Sequence, residues 1–421
     1  MADTIYALSS GAPPAGIGVI RISGPRAGEA LSRMANGLPP ARSPRLRIVR
    51  NGEGEALDQA LVMWFAGPNT ATGEDLAEIH CHGGRAVVAA LLAALSSIDG
   101  LREAEPGEFT RRAFSNGRID LAEAEGLADL LSAETELQRR GALLAAGGDL
   151  SRRIEGWRDR VLGLAASIEA VIDFADEDDV SLPASFSREL DELIGEIRAA
   201  SQRPATERLR DGIRVVLAGP PNAGKSSLFN ALLSDDAAIV TSEAGTTRDV
   251  LERPVSIGGV PFVLVDTAGM RDSGAGAIEE MGIERARKEV ANGHIVLWLG
   301  APDELPVGAI QISAKSDLGP GQSDGLEVSA VTGFGLSELT DMLVEKAQEI
   351  LPPVDQIAFN RRQREWAQTA AQSLEAVDTH SDLLIAAENL RAARRALDRL
   401  VGRDSTEEML DALFGRFCIG K

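Results

Sequence analysis

The sequence has few cysteines, no long apolar run and fewer basic than acidic residues. Its 421 residues include only Cys81 and Cys418, which cannot form a disulfide framework, so we expect a reducing, cytoplasmic location. No apolar run reaches roughly 18 residues and the start lacks a basic region, so we expect neither a membrane span nor a signal peptide. The net charge of −21 argues against non-specific nucleic-acid binding by the whole surface. Early arginines, from Arg21 to Arg50, could form a local basic face or simply a solvated surface.

The chain is long enough for two or three domains, and 44% of its residues are hydrophobic. Short apolar or alternating runs bounded by Gly or Pro predict an α/β domain over 1–117. Its expected strands and helices are 18–22, 46–49, 61–65 and 77–80, and 25–35 and 85–97. Long helical patterns follow over 118–208, a second α/β unit over 209–353, and more helix over 354–421. The predicted fold is multidomain, α/β plus all-α, with the second α/β unit inserted into a helical domain.

The second α/β unit begins with a glycine-rich loop that follows a short apolar strand. Gly219, Gly224, Lys225 and Ser226 fit the pattern G-x-x-x-x-G-K-[ST], and a helical pattern comes next. Glycines without a Cβ let backbone N–H groups approach a phosphate chain, and the helix adds its positive end. Lys225 should reach the β- and γ-phosphates, and the Ser226 hydroxyl should bind Mg²⁺. A chance glycine turn before a helix is the competing interpretation.

Four further motifs follow this loop in the order found in GTPases. A threonine loop over 241–249 can sense the γ-phosphate through Mg²⁺, and Asp266-Thr267-Ala268-Gly269 ends a strand. The Asp317 carboxylate can accept two hydrogen bonds from a guanine edge, and Ser329-Ala330 can close the base pocket. The predicted nucleotide-binding residues are Asn222, Ala223, Gly224, Lys225, Ser226, Ser227, Thr241, Ser242, Glu243, Ala244, Gly245, Thr246, Thr247, Asp266, Thr267, Ala268, Gly269, Lys315, Asp317, Ser329 and Ala330.

Almost end to end, the sequence resembles the MnmE or TrmE family of tRNA modification GTPases. The matching stretches include Gly-Val-Ile-Arg-Ile-Ser-Gly at 18–24, Thr-Gly-Glu-Asp at 72–75, His-Gly-Gly at 82–84, Pro-Gly-Glu-Phe-Thr at 106–110, Gly-Thr-Thr-Arg-Asp at 245–249 and the terminal Cys-Ile-Gly-Lys at 418–421. The combination of these with the glycine-rich loop is highly specific.

The resemblance implies a function and a second site. Together with a flavin-dependent partner of the MnmG (GidA) type, in a heterotetramer or larger complex, the family adds an aminomethyl or carboxymethylaminomethyl group at C5 of the wobble uridine of certain tRNAs. Its N-terminal domain dimerises and binds a 5-formyl- or methylene-tetrahydrofolate. By motif match, the folate-site candidates are Arg21, Glu78, Arg118 and Lys421. The family more often has lysine at the position of Arg118, and arginine changes the geometry there.

The resemblance also implies how GTP is hydrolysed. Met270 replaces the glutamine that orients water in many GTPases, and the family uses a downstream glutamate, here Glu279. A solvated glutamate in the first turn of a helix is the competing interpretation of Glu279. Thr247 and Lys225 complete the catalytic candidates, and Ser226 and Thr247 are the Mg²⁺ ligands. The family holds K⁺ when two nucleotide domains dimerise, and the candidates here are Asn222, Thr241, Glu243 and Thr246. We expect K⁺ to stimulate turnover and Glu279→Ala to lower turnover without much change in GTP affinity.

Two features depart from the family pattern. The usual Asn-Lys-x-Asp motif reads Ala314-Lys315-Ser316-Asp317, and the lost hydrogen bonds of the asparagine could weaken guanine binding by ~1–3 kcal/mol. Too few residues separate the strands near 295–299 and 310 for a parallel crossover with a helix. We therefore expect the nucleotide domain to lack one helix.

Lesser signals leave alternatives open. His80-Cys81-His82 could suggest a metal site, although no distant ligands complete it. Cys418 is either a reactive thiol or a small structural residue. A second functional hypothesis is a regulatory or assembly GTPase without tRNA chemistry of its own. A third is a nucleotide-binding scaffold with feeble hydrolysis.

Overall fold

The computed structural model describes residues 3–174, 181–203, 207–234, 238–240, 251–267, 284, 287–319, 325–351, 358–380, 382–403 and 406–421. The chain forms two compact units. One combines Met1–Ala128 with Asp398–Lys421, and the other comprises Asp129–Leu397. Among the described residues, no helix combines the length and apolarity that a membrane crossing requires.

The element order alternates strands and helices in both units and adds a block of long helices. The strands are β1 (Thr4–Leu8), β2 (Ile17–Ser23), β3 (Arg45–Arg50), β4 (Ala56–Phe65), β5 (Leu76–His82), β6 (Leu101–Glu103), β7 (Ile213–Ala218), β8 (Ala238–Val240), β9 (Leu251–Ile257), β10 (Val260–Asp266), β11 (Ile295–Trp298), β12 (Ile310–Ala314) and β13 (Leu326–Val328). The helices are α1 (Ala27–Ala35), α2 (Arg85–Ser96), α3 (Glu108–Ser115), α4 (Leu121–Leu131), α5 (Glu136–Ala146), α6 (Asp149–Asp173), α7 (Phe186–Ser201), α8 (Glu207–Asp211), α9 (Lys225–Ser234), α10 (Leu336–Ile350), α11 (Arg361–Glu375), α12 (Leu383–Leu400) and α13 (Glu407–Phe414).

The first unit is built on a six-stranded sheet in the order β3-β4-β5-β2-β1-β6. The neighbours β3 to β1 pair antiparallel, and β6 adds to β1 in parallel. Alternate side chains on these strands pack against α1 and α2 in one apolar core, which includes Ile20, Ile22, Leu31, Val62, Ile79, Leu91 and Leu95. The predicted α/β character of this segment is therefore present. The sequence did not predict β1, β6 or α3.

The opposite face of this sheet is partly open. Because side chains alternate along a strand, the cross-strand neighbours Leu46 and Leu61 point away from the helices. They are 58% and 37% exposed, and Ile17 and Ile48 on the same face are 63% and 47% exposed. Near β1 this face is closed, since Phe109 of α3 packs on Ile5 and Ala7. An apolar surface therefore remains over the β3 to β2 side.

The C-terminal segment packs into the first unit. Gly107, at φ 70°, lies so close to α13 that an added Cβ would be 2.2 Å from the Phe414 carbonyl oxygen. Phe414 joins Leu121 in a small core, and the Leu121 N–H donates to the Val401 carbonyl. Helix α4 begins with a capping box, in which Asp120 and Glu123 each accept the other's backbone N–H.

The second unit contains a seven-stranded sheet in the order β13-β12-β11-β7-β10-β9-β8. The five strands from β13 to β10 in this order pair in parallel. The last two, β9 and β8, extend the sheet beyond β10 with antiparallel pairing. The hairpin turn Gly258-Gly259 connects β9 and β10, with φ angles of 58° and 77° that favour glycine. Side chains of α9 and α10 pack with the sheet in the core of this unit.

The connection between β11 and β12 carries no α-helix. These parallel strands are joined through 299–309, which contain only the short 3-10 turn Pro302–Glu304. The loop folds back on the strands, because Trp298 Nε1 donates to the Ala301 carbonyl and Gln311 Nε2 donates to the Gly300 carbonyl. A Cβ at Gly300 would lie 2.6 Å from the Trp298 ring. The prediction that this crossover lacks a helix is therefore confirmed.

Helices that precede the predicted second α/β unit (209–353) contact helices that follow it. Trp157 of α6 makes an edge contact with Phe359, with ring centroids 6.4 Å apart, and Arg198 of α7 pairs with Glu375 of α11. Within the helical pattern predicted over 118–208, α5 and α6 are separate helices, and Gly148 at φ 77° precedes α6. Farther along, Leu137 of α5 and Leu209 of α8 pack into the core of the seven-stranded sheet. The boundaries 117/118, 208/209 and 353/354 stay predictions.

Candidate functional site

The glycine-rich loop lies between β7 and α9, as the sequence predicts. Gly219 has φ 145° and a Cβ there would approach the Leu299 backbone to 3.1 Å, and Gly224 has φ 101°. Lys225 is only 4% exposed, and its Nζ donates to the carbonyls of Gly219 (3.0 Å) and Pro220 (2.7 Å). The loop thus holds an ammonium group on its inner side. Ser226, in the first turn of α9, is exposed and can reach a metal ion.

Several parallel strands end beside this loop. Asp266, the last residue of β10, is paired with Leu217 of β7 and is buried. The next hydroxyl, Thr267 Oγ1, donates to the Leu217 carbonyl at 2.8 Å. In open α/β sheets, ligands bind at the carboxyl ends of the strands. This geometry fits a phosphate chain with an associated Mg²⁺, and Lys225, Ser226 and Asp266 would hold them.

The base-pocket residues follow β12 and β13 at the same end of the sheet. Lys315 has φ 65°, and its Nζ donates to the Asn222 carbonyl of the glycine-rich loop at 2.6 Å. The Ser329 hydroxyl, fully buried, donates to Asp317 Oδ1 at 2.6 Å, which fixes one oxygen of that carboxylate. The structure therefore brings the predicted residues Asn222, Lys315, Asp317 and Ser329 together.

Ala314 occupies the place where the family pattern has asparagine. Its Cβ lies 3.5 Å from the position that a Cβ on Gly224 would take, so the side chain faces the glycine-rich loop. A methyl group can neither donate nor accept a hydrogen bond. Here the Lys315 hydrogen bond joins the loop after β12, which we call the base loop, to the glycine-rich loop, which we call the phosphate loop.

Part of the predicted site lies outside the described residues. This applies to the loop residues Thr241, Ser242, Glu243, Ala244, Gly245, Thr246 and Thr247, to Ala268 and Gly269, and to the catalytic candidate Glu279. Their roles stay predictions. Of the remaining predicted nucleotide residues, Ala223 packs against the core, Ser227 lies in the first turn of α9, and Ala330 follows the buried Ser329.

Two of the four folate-site candidates form an ion pair in the first unit. Arg21 of β2 faces Glu78 of β5 across the sheet, with Nη2 and Oε1 3.0 Å apart. His80 Nε2 lies 3.0 Å from the other carboxylate oxygen, and the Arg21 guanidinium lies 5.9 Å from the centre of the Phe109 ring. Burial by itself raises the pKa of Glu78, but the His80 hydrogen bond and the Arg21 charge bring that pKa below its ordinary value. Glu78 is therefore an ionised carboxylate that the Arg21 guanidinium and His80 hold in place.

Sequence reasoning missed His80 and Phe109 as neighbours of this pair. His80 lies two residues from Glu78 on one strand, so a period-2 pattern could have placed both on one face. The same alternation keeps His80, Cys81 and His82 from forming one ligand set. The Cys81 side chain is buried on the other face of the sheet, where its Sγ donates to the Gly18 carbonyl. The described residues contain no cluster of three His, Cys, Asp or Glu side chains suited to a metal ion.

The other two folate candidates lie on turns of the same unit. Arg118 is exposed, and its Cγ would be 3.2 Å from a Cβ on Gly73. Lys421 follows Gly420, which lies so close to the end of β1 that an added Cβ would be 2.1 Å from the Leu8 carbonyl oxygen. Leu8 and Ala7 pair with Ile20 and Arg21, so the tail meets the strand pair that carries Arg21. Cys418 is an exposed free cysteine whose carbonyl accepts the Gly107 N–H.

Comparisons with known proteins cover both units. A family model for the GTP-binding protein TrmE N-terminus matches residues 4–118, and one for the MnmE helical domain matches residues 121–418. The tRNA modification GTPase MnmE of Erythrobacter litoralis (strain HTCC2594) is 56% identical, over 100% of both chains. The protein of the same name from Novosphingobium aromaticivorans is 54% identical, again over 100% of both chains.

Solved structures are similar to part of the chain, and one example is a GTPase domain. The G domain of the T. maritima FeoB iron transporter is 26% identical and covers 32% of this chain and 99% of its own, with a TM-score of 0.24. The two family models and the full-length relatives confirm the resemblance read from the motifs. The chain belongs to the MnmE family of tRNA modification GTPases.

Proposed function

We propose that this protein hydrolyses GTP as part of the modification of the wobble uridine of certain tRNAs. The observation that carries the proposal is the convergence of Lys225, Asp266, Lys315 and Asp317 at one end of the seven-stranded sheet. Lys225 offers a buried positive charge for phosphates, and Asp317 offers a carboxylate for the guanine edge. Membership of a family of tRNA modification GTPases supplies the biological setting.

The finer chemistry belongs to the same proposal. GTP binds with Mg²⁺ on Ser226 and Thr247, and K⁺ binds through Asn222, Thr241, Glu243 and Thr246. Glu279 orients the attacking water. Folate is held by Arg21, Glu78, Arg118 and Lys421, and the reaction at C5 of uridine uses a flavin-dependent partner in the cytoplasm. The ion pair of Arg21 with Glu78, and the tail placed on β1, support this use of the first unit.

The experiment that tests the function is mass spectrometry of tRNA nucleosides from cells with and without this gene. We expect the C5-modified wobble uridines to disappear in the deletion strain and to return when the intact chain is supplied. Unchanged nucleosides would instead favour the regulatory or assembly GTPase. Folate retention by the purified chain separates the two hypotheses independently, because a pure switch needs no folate.

The open sheet face supports a homodimer through the first unit. Changing Leu46 and Leu61 together to Asp should weaken the dimer at least about tenfold, because each buried leucine contributes about 1.5–3 kcal/mol and the variant would bury charge instead. Analytical ultracentrifugation over a dilution series measures this. The matched control is Leu384→Asp on α12, where the leucine is 63% exposed. A double variant that dimerises as tightly as the control would contradict the proposal.

A further inference from the structure

A basic edge lies on the outermost strand of the first unit. Between Glu29 and Glu53 the sequence has five arginines and no acidic residue, in a chain whose net charge is −21. Four of them, Arg42, Arg45, Arg47 and Arg50, lie on or just before β3, and all four are exposed. We call these four residues the basic edge. The strand order puts β3 at the end of the sheet.

The guanidinium groups of the basic edge make no ion pair within the described part of the chain. Arg45, Arg47 and Arg50 donate to the carbonyls of Pro44, Leu46 and Gly54. Arg42 donates to the Asn69 carbonyl, and its guanidinium carbon lies 5.9 Å from the centre of the Phe65 ring. Elsewhere many exposed arginines meet carboxylates; on α5, for example, Arg139 and Arg140 both pair with Glu136. The basic edge therefore keeps its positive charge available to a partner from solution.

Alternation along β3 keeps this charge apart from the proposed dimer face. Arg45 and Arg47 are cross-strand partners of Val62 and Ala60, both buried on the helix side, whereas Leu46 and Ile48 point to the open side. A dimer that covers Leu46 leaves Arg45 and Arg47 exposed. Their side chains are two residues apart, about 6.6–6.8 Å along the strand.

We propose that the basic edge binds the phosphate backbone of the tRNA. The inference rests on the proposed function, in which tRNA is the substrate. Exposed arginines without carboxylate partners are the groups that neutralise phosphates and position nucleic acid. Neighbouring strands are about 4.8 Å apart, so β3 lies about 10 Å from β5, with Glu78, and about 14 Å from β2, with Arg21. RNA along this edge would lie beside the sheet that carries the candidate folate site, with Arg45 and Arg47 on the helix side and the Arg21–Glu78 pair on the open side.

The test is the salt dependence of tRNA binding by the full chain. Anisotropy of a fluorescein-labelled tRNA is measured from about 50 to 300 mM KCl for the unchanged chain, for R45Q/R47Q and for the control R139Q/R140Q. The slope of log affinity against log salt is negative, and the loss of two phosphate contacts should make it less steep by about 1.4–1.8. The same loss should weaken tRNA binding about tenfold or more. The control should match the unchanged chain. Melting temperature and GTP hydrolysis should be the same in all three.

The possible failures are distinguishable. If the unchanged chain binds tRNA and R45Q/R47Q binds it with the same slope and affinity, the basic edge has no RNA role. Its arginines would then serve only to block pairing of the free strand edge with other chains. If the unchanged chain binds no tRNA at all, this inference fails together with the tRNA part of the proposed function.

Discussion

Replacing Lys225 with alanine is expected to lower GTP turnover by about 10²–10³-fold or more, the loss typical of removing one charge-stabilising donor. Lys225 is buried in the glycine-rich loop and its ammonium group faces two carbonyls there. With GTP bound, the same group would offset the negative charge that develops on the transferred phosphate. Phosphate release at saturating GTP, in K⁺ and Mg²⁺, measures the effect.

The matched control for this prediction is Lys346→Ala. Lys346 is an exposed lysine of α10 that pairs with Glu349, so its loss should leave turnover unchanged. A Lys225→Arg variant keeps the positive charge and tests whether a planar guanidinium can replace the compact ammonium group. Turnover within a few-fold of the unchanged chain in Lys225→Ala would mean that the loop does not hold the reacting phosphates.

Changing Ala314 to asparagine is expected to tighten GTP binding about 5- to 150-fold. This range converts the ~1–3 kcal/mol assigned to the missing hydrogen bonds. Ala314 faces Gly224 at the junction of the base loop and the phosphate loop. The asparagine of the family pattern would make its base and loop hydrogen bonds from this position. Guanine N7 is an acceptor that an asparagine NH₂ group can meet.

A second ligand separates the base contact from a general effect on the loop. The analogue 7-deaza-GTP lacks the N7 acceptor, so the unchanged chain should bind it and GTP with equal affinity. Ala314→Asn should prefer GTP. Calorimetric titration of both ligands into both proteins gives the four affinities. A clear preference of the unchanged chain for GTP over 7-deaza-GTP would show that another group reads N7.

Sequence patterns predicted those elements whose pattern is local. Strands such as β2 and β5 alternate between a buried and an exposed face, so their period is visible in the sequence. In contrast, β1 has four consecutive buried residues and β6 has three residues in all, and neither shows a period. The start of α3 depends on the approach of Gly107 to Phe414, a contact between distant parts of the chain.

The candidate site shows the same division between local and distant information. Residues fixed by a contiguous motif, such as Lys225 and Asp317, could be named from the sequence. The bond from Lys315 to the Asn222 carbonyl, and the contact of Arg21 with Phe109, join segments far apart in the chain. Only the folded chain shows that, with alanine at position 314, the Lys315 side chain joins the base loop to the phosphate loop.

The packing of the 398–421 segment onto the first 128 residues also has a consequence for biosynthesis. A ribosome adds about 5–20 residues per second, so the 269 residues of the second unit delay the arrival of α13 by roughly 13–54 s. Until then, the partners of Leu121 and Gly107 do not exist, and the surfaces of α3 and α4 stay uncovered. Nascent-chain proteolysis should therefore find the second unit protected before the first is complete.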